Sequence, residues 1–151
     1  MLVHKQGDIL QAEENIICHQ VNIQGIMGGG LALQIATQYP TVEEKYKNYC
    51  NQFENKELMI GDYLPVGIGE HKYIMNCFTQ DLNFDTNYKA LKQVFTSLLE
   101  SCKRNHLSIC IPYKYGCGIA NGNWEEVSRI LEGLSDYYKV DISVYKLENV
   151  Q

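Results

Sequence analysis

Apolar residues follow two different periodicities along this chain, and the two alternate. Runs of mostly branched apolar residues, NIICHQV at 15–21 and LSICIP at 107–112, are typical of buried strands. The same reasoning predicts further strands at 1–6, 63–68, 72–78 and 141–147. A tight turn at Gly69 and Glu70 would join the strands at 63–68 and 72–78.

Helical spacing occurs in the segments between these strands. From Gly30 onward, apolar residues on one face predict a helix that Pro40 ends. That face consists of Leu31, Ile35 and Tyr39. The polar stretch at 41–57 predicts a second helix with a solvated face.

Two further helices carry clear signals at their starts. Asp85 or Thr86 can cap a helix with a strongly apolar inner face. That face comprises Tyr88, Leu91, Val94, Phe95, Leu98, Leu99 and Cys102. Asn123 can cap the last helix, with Glu126 in its third position and an apolar stripe behind it. The stripe comprises Val127, Ile130, Leu131 and Leu134.

Strands that alternate with helices indicate an α/β sandwich with a largely parallel sheet. The pattern contains no internal repeat, linker or low-complexity tract, so we expect one domain over residues 1–151. In such sheets, ligands bind beyond the carboxyl ends of the strands. The loops that follow the strands are therefore where a functional site is expected.

The charge and hydropathy of the chain argue against several classes of partner. A net charge of −5 and a pI near 5.3 do not predict a broad basic footprint for nucleic acid. The sequence contains no apolar run of the roughly 18 residues that cross a bilayer. The start, MLVHKQGDIL, lacks the pattern of a secretion signal. We therefore expect a cytoplasmic protein without a membrane partner.

The six cysteines predict free thiols rather than bridges or a metal site. Cys18, Cys77 and Cys110 lie in strand-like runs, and the sequence contains no CxxC pair and no metal-ligand spacing. Cys117 lies between two glycines near a predicted helix start, which would stabilise a thiolate. Because the sequence pairs no histidine with it, we interpret Cys117 as a small loop residue.

The stretch NIQGIMGGGLALQ at 22–34 places glycines between a strand and a helix. Glycines at 25, 28, 29 and 30 leave the backbone bare where a helix start exposes unpaired N–H groups and partial positive charge. The spacing matches neither a P-loop nor the GxGxxG fingerprint. The stretch predicts an anion site, and a glycine turn that serves packing alone is the alternative.

A second glycine-rich loop repeats this arrangement. KYGCGIANG at 114–122 follows a predicted strand and precedes a capped helix. Two such loops at one edge of a sheet could hold two phosphates. The pair therefore favours a diphosphate ligand.

Four segments together resemble the signatures of macrodomains, which bind ADP-ribose. They are GDIL at 7–10, HQVN at 19–22, GGGLALQ at 28–34 and IPYKYGCGIANGNW at 111–124. The GCG loop and the tryptophan a few residues later are similar to the branch with terminal ADP-ribose hydrolases and ADP-ribose 1''-phosphate phosphatases. The resemblance implies a three-layer α/β/α macrodomain with a central mixed, largely parallel sheet.

The resemblance also implies roles for individual residues. Asp8 corresponds to the carboxylate that accepts the adenine amino group and Ile9 to an amide near the base, although Asp8 could also cap a helix or turn. Asn22 corresponds to an asparagine beside the distal ribose. Tyr145 or Leu147 would pack on the adenine, with a core role as the alternative. The residues implied around the diphosphate and distal ribose are Gly28, Gly29, Gly30, Leu31, Gly116, Cys117, Gly118, Ile119 and Ala120.

The chain departs from the related hydrolases that remove ADP-ribose from glutamate. Those enzymes use an aspartate where this chain has Ala120, and a lysine where it has Thr79 or Gln80. We therefore do not expect a lysine to attack the ribose carbon. Dephosphorylation of ADP-ribose 1''-phosphate is favoured, because phosphoryl transfer depends mainly on positioning and on stabilising negative charge.

Candidate catalytic residues for that reaction lie at the end of the second predicted strand. Asn22, His19 or Gln20 could orient a water or protonate the leaving oxygen, although a histidine within ICHQV is also typical of a core. Asp81 and Asp85 could serve as acids, with a solvated turn and a helix cap as the alternatives.

The function predicted from the sequence is binding and hydrolysis of ADP-ribose or a close derivative. The reaction is either dephosphorylation of ADP-ribose 1''-phosphate or removal of ADP-ribose from a target, which could be an ADP-ribosylated macromolecule. A non-catalytic reader, or a protein that sequesters a NAD-derived signal, is the alternative. A generic AMP or NAD domain is a third hypothesis. We predict neither a metal nor a cofactor.

Overall fold

The computed structural model describes residues 1–147, and within them six strands form one sheet flanked by four helices. The strands are β1 Leu2–Gln6, β2 Ile16–Val21, β3 Tyr63–Gly69, β4 Lys72–Phe78, β5 Ile109–Pro112 and β6 Ile142–Lys146. The helices are α1 Gly30–Gln38, α2 Pro40–Cys50, α3 Tyr88–Asn105 and α4 Trp124–Tyr138, with short 3-10 helices at Ile9–Gln11 and Lys56–Met59. The predicted strands and helices are confirmed.

The sheet is mixed and largely parallel, as predicted. Its strand order is β1-β6-β5-β2-β4-β3, and β3 pairs with β4 in the antiparallel sense while the other neighbours run parallel. The carboxyl ends of β1, β6, β5, β2 and β4 therefore meet at one edge. Both glycine loops begin at this edge, because one follows β2 and the other follows β5.

Each face of the sheet covers a separate hydrophobic core. Along β2, Ile17 packs into a core with α1 and α2, whereas Cys18 points to the opposite face and packs with α3 and α4. Successive strand residues point to opposite faces, so a run of apolar residues serves both cores. The result is the predicted three-layer α/β/α arrangement.

One helix start differs from the sequence prediction. Asn87, rather than Asp85 or Thr86, caps α3, and its side chain accepts from the N–H of Ala90. The other two side chains are held by the second loop: Asp85 accepts from Asn121, and the hydroxyl of Thr86 donates to a loop carbonyl. Asn123 caps α4 and accepts from the N–H of Glu126, as predicted.

Boundaries near Pro40 and Gly69 also differ. Pro40 follows α1 but is itself the first residue of α2, where its missing N–H costs nothing. The helix predicted over 41–57 ends at Cys50. The β3–β4 turn lies one residue later than predicted, at Glu70 and His71, because β3 continues through Gly69. Over residues 1–147, the helices are all too short or too polar to cross a membrane.

Candidate functional site

A cleft made of two adjoining cavities runs along the edge where the parallel strands end. It has a wide end of about 540 Å³ and a narrow end of about 230 Å³, and both are bordered by Gly30, Leu31, Pro112 and Tyr113. The wide end is further lined by His19, Gln20, Val21, Asn22, Ile26, Gly28, Gly29, Ala32, Gln80, Phe84, Lys114, Tyr115, Gly116, Gly118, Ile119 and Ala120. The narrow end is further lined by Gly7, Asp8, Ile9, Gln34, Tyr145, Lys146 and Leu147. The structure thus brings both glycine loops and the residues after β1 and β6 into one site.

Asn22 organises the first glycine loop. Its Oδ1 accepts from the backbone N–H groups of Gln24 and Ile26, at 3.1 and 3.2 Å, and its Nδ2 donates to the carbonyl of Ile26. The hydroxyl of Tyr46 lies 2.7 Å from the same Oδ1 and 2.6 Å from the carbonyl oxygen of Asn22. Burial raises the pKa of Tyr46 well above its usual range, so its phenol remains a donor. The role predicted for Asn22 in catalysis stays a prediction.

Two cleft glycines are not required by the fold itself. Gly29 has an extended backbone, and a Cβ added to Gly29 or to Gly118 would meet no atom of the described chain within 4 Å. Elsewhere in the second loop, packing does require glycine: a Cβ on Gly122 would lie 2.3 Å from the carbonyl oxygen of Gly116. The absence of side chains at Gly29 and Gly118 therefore leaves room for a ligand to approach the backbone in the cleft.

The start of α1 supplies the cleft with backbone donors. Gly29 is its N-cap and has no side chain, so the first-turn N–H groups lack a side-chain oxygen within the described residues. The first turn also contains no acidic residue. Lys114, from the second loop, adds a positive charge to the wide end, and its Nζ lies 5.7 Å from the ring centroid of Tyr113. This arrangement favours an anionic ligand.

The narrow end contains the residues that the resemblance assigns to adenine. Asp8 lines it and also caps the first 3-10 helix, because its Oδ1 accepts from the N–H of Leu10 at 2.9 Å. The cap that was the alternative for Asp8 is therefore observed, and its role toward adenine stays a prediction. Ile9 is largely buried but borders the cavity, and Tyr145 and Leu147 both contribute to its wall.

The structure distinguishes between Thr79 and Gln80, the two residues near the expected lysine position. Thr79 is fully buried, and its Oγ1 lies 2.7 Å from the hydroxyl of Tyr115, whereas Gln80 lines the wide end. Gln80 Nε2 donates to Gln20 Oε1 at 2.8 Å, and Gln20 Nε2 donates to the hydroxyls of Thr79 and Thr86. This wall of the cleft is therefore made of neutral amides and hydroxyls.

His19 lies beneath the wide end in a buried, neutral state. It is 2% exposed, and its Nε2 is 2.6 Å from Oδ1 of Asn76. Because Asn76 Nδ2 donates to the carbonyl of Leu64, its Oδ1 must be the acceptor, so Nε2 of His19 carries the proton. The other nitrogen, Nδ1, is shielded and has no hydrogen-bond partner among residues 1–147. Burial lowers the pKa of His19 to about 4, although the bond to Asn76 opposes the shift. Its catalytic role stays a prediction.

The remaining loop residues take different positions. Ala120 is buried and Ile119 is 89% exposed, and both border the wide end. Cys117 belongs to the same loop but packs against the α3–α4 core, and burial raises its pKa, which disfavours a thiolate. Asp81 forms a turn by accepting from the N–H groups of Asn83 and Asp85.

Phe84 is a cleft residue that sequence reasoning missed. It is 40% exposed, has a left-handed φ of +64° and borders the wide end together with Ile26 and Ile119. We call these three residues the apolar rim. A left-handed aromatic residue is strained and often marks a functional loop. The available signal was a lone aromatic residue in the polar turn QDLNFDTN.

Comparisons with known proteins agree with this geometry. A family model described as "Macro domain" matches residues 18–131. The chain is 28% identical to a protein named DNA ADP-ribosyl glycohydrolase from Mycobacterium tuberculosis, over 96% of this chain, but it spans only 42% of that relative's length. It is 25% identical to an ADP-ribose 1''-phosphate phosphatase from Saccharomyces cerevisiae, over 97% of this chain and 98% of the relative.

A solved structure shares the fold over nearly the whole chain. The macrodomain of Mycobacterium tuberculosis DarG superposes with a TM-score of 0.81 at 26% identity, covering 96% of this chain and 97% of the other. The fold is therefore common to both.

Proposed function

This chain belongs to the Macro domain family, and from that premise we propose that it binds ADP-ribose or a close derivative and hydrolyses it. The observation that carries the proposal is one cleft with two ends, joined across the first turn of α1. Gly29 and Gly118 line the wide end although the fold does not require glycine at either position. Bare backbone and free N–H groups suit a diphosphate.

The ligand's three parts match three regions of the cleft. Adenine fits the narrow end, where Asp8 Oδ2 could accept its amino group and Tyr145 forms the wall. The diphosphate fits between the start of α1 and the second loop, near the charge of Lys114. The distal ribose then lies in the wide end beside the amides of Gln20 and Gln80.

The favoured reaction is dephosphorylation of ADP-ribose 1''-phosphate. A water attacks the terminal phosphorus and the bond from phosphorus to the ribose oxygen breaks, giving ADP-ribose and phosphate. Backbone N–H groups and Lys114 can stabilise the developing charge, and Gln80 offers no amine that could attack the ribose carbon. The yeast relative that carries the phosphatase name matches this chain over almost its whole length. Asn22 would orient the phosphate through the loop that it shapes.

Removal of ADP-ribose from a target is the second candidate. The apolar rim of Ile26, Phe84 and Ile119 suits a substituent on the distal ribose that is larger and less polar than phosphate. A relative is named for action on ADP-ribosylated DNA, although this chain spans less than half of it. A reader would use the same surface to hold an ADP-ribosylated macromolecule without cleaving it.

A phosphorus NMR time course with ADP-ribose 1''-phosphate tests the proposal. We expect the diphosphate signals to shift on binding and the terminal phosphate signal to be replaced by that of inorganic phosphate. Shifted diphosphate signals without phosphate release would exclude the phosphatase and leave a reader or a hydrolase for a target. No shift with either this compound or ADP-ribose would contradict the binding proposal itself.

A further inference from the structure

A charged cluster built around one buried carboxylate lies behind the narrow end of the cleft. Glu14 is 5% exposed, and its Oε1 accepts from the hydroxyl of Tyr145 at 2.6 Å. Its Oε2 accepts from Nζ of Lys5 at 2.7 Å. Burial opposes ionisation of Glu14, but hydrogen bonds from Lys5, Tyr145 and Ser143 outweigh it and hold its pKa at about 2. Glu14 is therefore a buried carboxylate ion at neutral pH.

The sheet register brings the three members of the cluster together. Lys5 on β1 pairs with Tyr145 on β6 in the parallel ladder, so the two side chains lie side by side. Nζ of Lys5 is 5.8 Å from the ring centroid of Tyr145. Glu14 reaches both of them from the segment just before β2. Tyr145, whose hydroxyl this cluster holds, is one of the residues that line the narrow end.

Stability alone does not account for a charged cluster at this position. Glu14 loses its hydration on burial, whereas the side chain of Lys5 is 43% exposed, and an ion pair with an exposed lysine offsets only part of that cost. Phe or Leu at 145 could fill the same wall without that cost. What the cluster adds is direction, because the bond from the hydroxyl of Tyr145 to a buried carboxylate fixes where the axis of the ring points.

We propose that Glu14 and Lys5 are positioning residues for the base end of the cleft, where they hold the ring of Tyr145 against the face of the adenine. The inference rests on the proposed function, since it assumes that the narrow end binds the base. Neither residue touches the ligand; both act through Tyr145. Their effect should therefore be confined to ligands that contain adenine.

Calorimetric titrations with ADP-ribose, AMP and inorganic pyrophosphate test this inference. Tyr145→Phe keeps the ring and removes one hydroxyl, and Glu14→Gln removes the charge. We expect roughly tenfold weaker binding of ADP-ribose and AMP in both variants, with the affinity for pyrophosphate unchanged. Glu13→Gln is the matched control, because Glu13 is the neighbouring carboxylate and is exposed, and it should bind all three ligands like the wild type.

The outcomes separate this inference from the proposed function. If both variants bind AMP as tightly as the wild type does, the inference is wrong. It is also wrong if the variants lose affinity for AMP and for pyrophosphate equally, because such a loss indicates general damage to the site. If the wild-type chain binds pyrophosphate but neither AMP nor ADP-ribose, the proposed function and this inference both fail. Thermal unfolding of each variant shows whether the protein is folded in every titration. Tyr145→Phe removes only one hydroxyl, so it keeps the test possible if Glu14→Gln does not fold.

Discussion

The hydroxyl of Tyr46, in the middle of α2, lies 2.7 Å from Oδ1 of Asn22, the residue at which the first glycine loop begins. Tyr46 is fully buried and is 24 positions away from Asn22 along the chain. The contact links the core directly to the loop that borders the wide end of the cleft. A single phenol therefore supports the residue that shapes the surface on which we propose the diphosphate binds.

Tyr46→Phe should weaken ligand binding as well as stability. The change leaves Oδ1 of Asn22 with one donor fewer, so we expect a loss of about 1–2 kcal/mol in unfolding free energy and about fivefold in ADP-ribose affinity. Tyr49→Phe is the control, because it removes a bond from the same helix to Asp62 without touching the loop. Equal ADP-ribose affinities for the two variants would contradict the role of Tyr46.

Asn22→Ala tests whether Asn22 only shapes the loop or also takes part in the reaction. Because its side chain makes four hydrogen bonds within and behind the loop, we expect both ADP-ribose affinity and any phosphate release to fall by roughly tenfold or more. Calorimetry and the phosphorus NMR assay measure the two effects separately. Loss of turnover with unchanged affinity would instead identify Asn22 as a catalytic group.

Gly29→Ala and Gly118→Ala should fold normally and bind poorly. The fold has room for a methyl group at both sites, so the unfolding free energy should change by less than about 0.5 kcal/mol. The methyl groups would meet the ligand, and we expect at least a roughly tenfold loss of ADP-ribose affinity. Gly133→Ala is the control, because a Cβ at Gly133 also meets no atom of the described chain within 4 Å. Gly133 lies on α4, away from the cleft, so this change should not affect binding. Unchanged affinity in both cleft variants would argue against a ligand at these glycines.

His19 should make the protein less stable as the pH falls. Its folded pKa of about 4 lies below the ordinary value of 6.5, so the unfolded chain binds a proton that the folded chain excludes between these values. The free energy of unfolding should drop by about 2 kcal/mol from pH 7 to pH 5 through this residue. Glu14 contributes at lower pH, because its stabilisation is lost as the pH falls from about 4.5 toward 2.

Urea unfolding of His19→Gln at the two pH values checks this assignment. Glutamine can still donate to Asn76, but it does not titrate, so the variant should lose most of the drop between pH 7 and pH 5. An equal drop in wild type and variant would show that other groups cause it.

Phe84→Asn should raise stability while it removes part of the apolar rim. Asparagine tolerates the left-handed backbone at this position, so we expect a gain of about 0.5–1 kcal/mol. His106→Asn places asparagine at another left-handed position, the end of α3, away from the cleft, and serves as control. If the rim holds an ADP-ribosylated target, only Phe84→Asn should lower target affinity, while affinity for ADP-ribose 1''-phosphate stays constant. Equal target affinity in the two variants would remove the support for the second candidate.

Short-range patterns in the sequence were sufficient to predict the strands and helices of the fold and the two glycine loops. Apolar periodicity, Asn123 at the start of α4 and the glycines after β2 and β5 act within a few residues of one another. Parallel strands with intervening helices then bring the strand ends to one edge. The edge at which the cleft lies and the two glycine loops that border it could therefore be predicted from these patterns, whereas the roles of individual residues were implied by the family resemblance.

Which of two or three neighbouring residues takes a given role depended on contacts between distant parts of the fold. Asp85, Thr86 and Asn87 are all good caps, and Asn87 takes the role because the second loop holds the other two side chains. Thr79 and Gln80 are adjacent just after β4, and their contacts with Tyr115 and Gln20 accompany the burial of one and the position of the other in the cleft.

The sequence by itself determined the strands, the helices and the backbone that is bare enough for an anion, because each of these depends on local conformational preference. The tertiary structure alone decided the partners of Asn22 and Glu14 and the burial of His19. Tyr46 and Tyr145 reach these sites from distant segments, through packing and register. Hydrogen bonds between distant residues leave no periodic trace in the chain, which is why their partners could not be predicted from it.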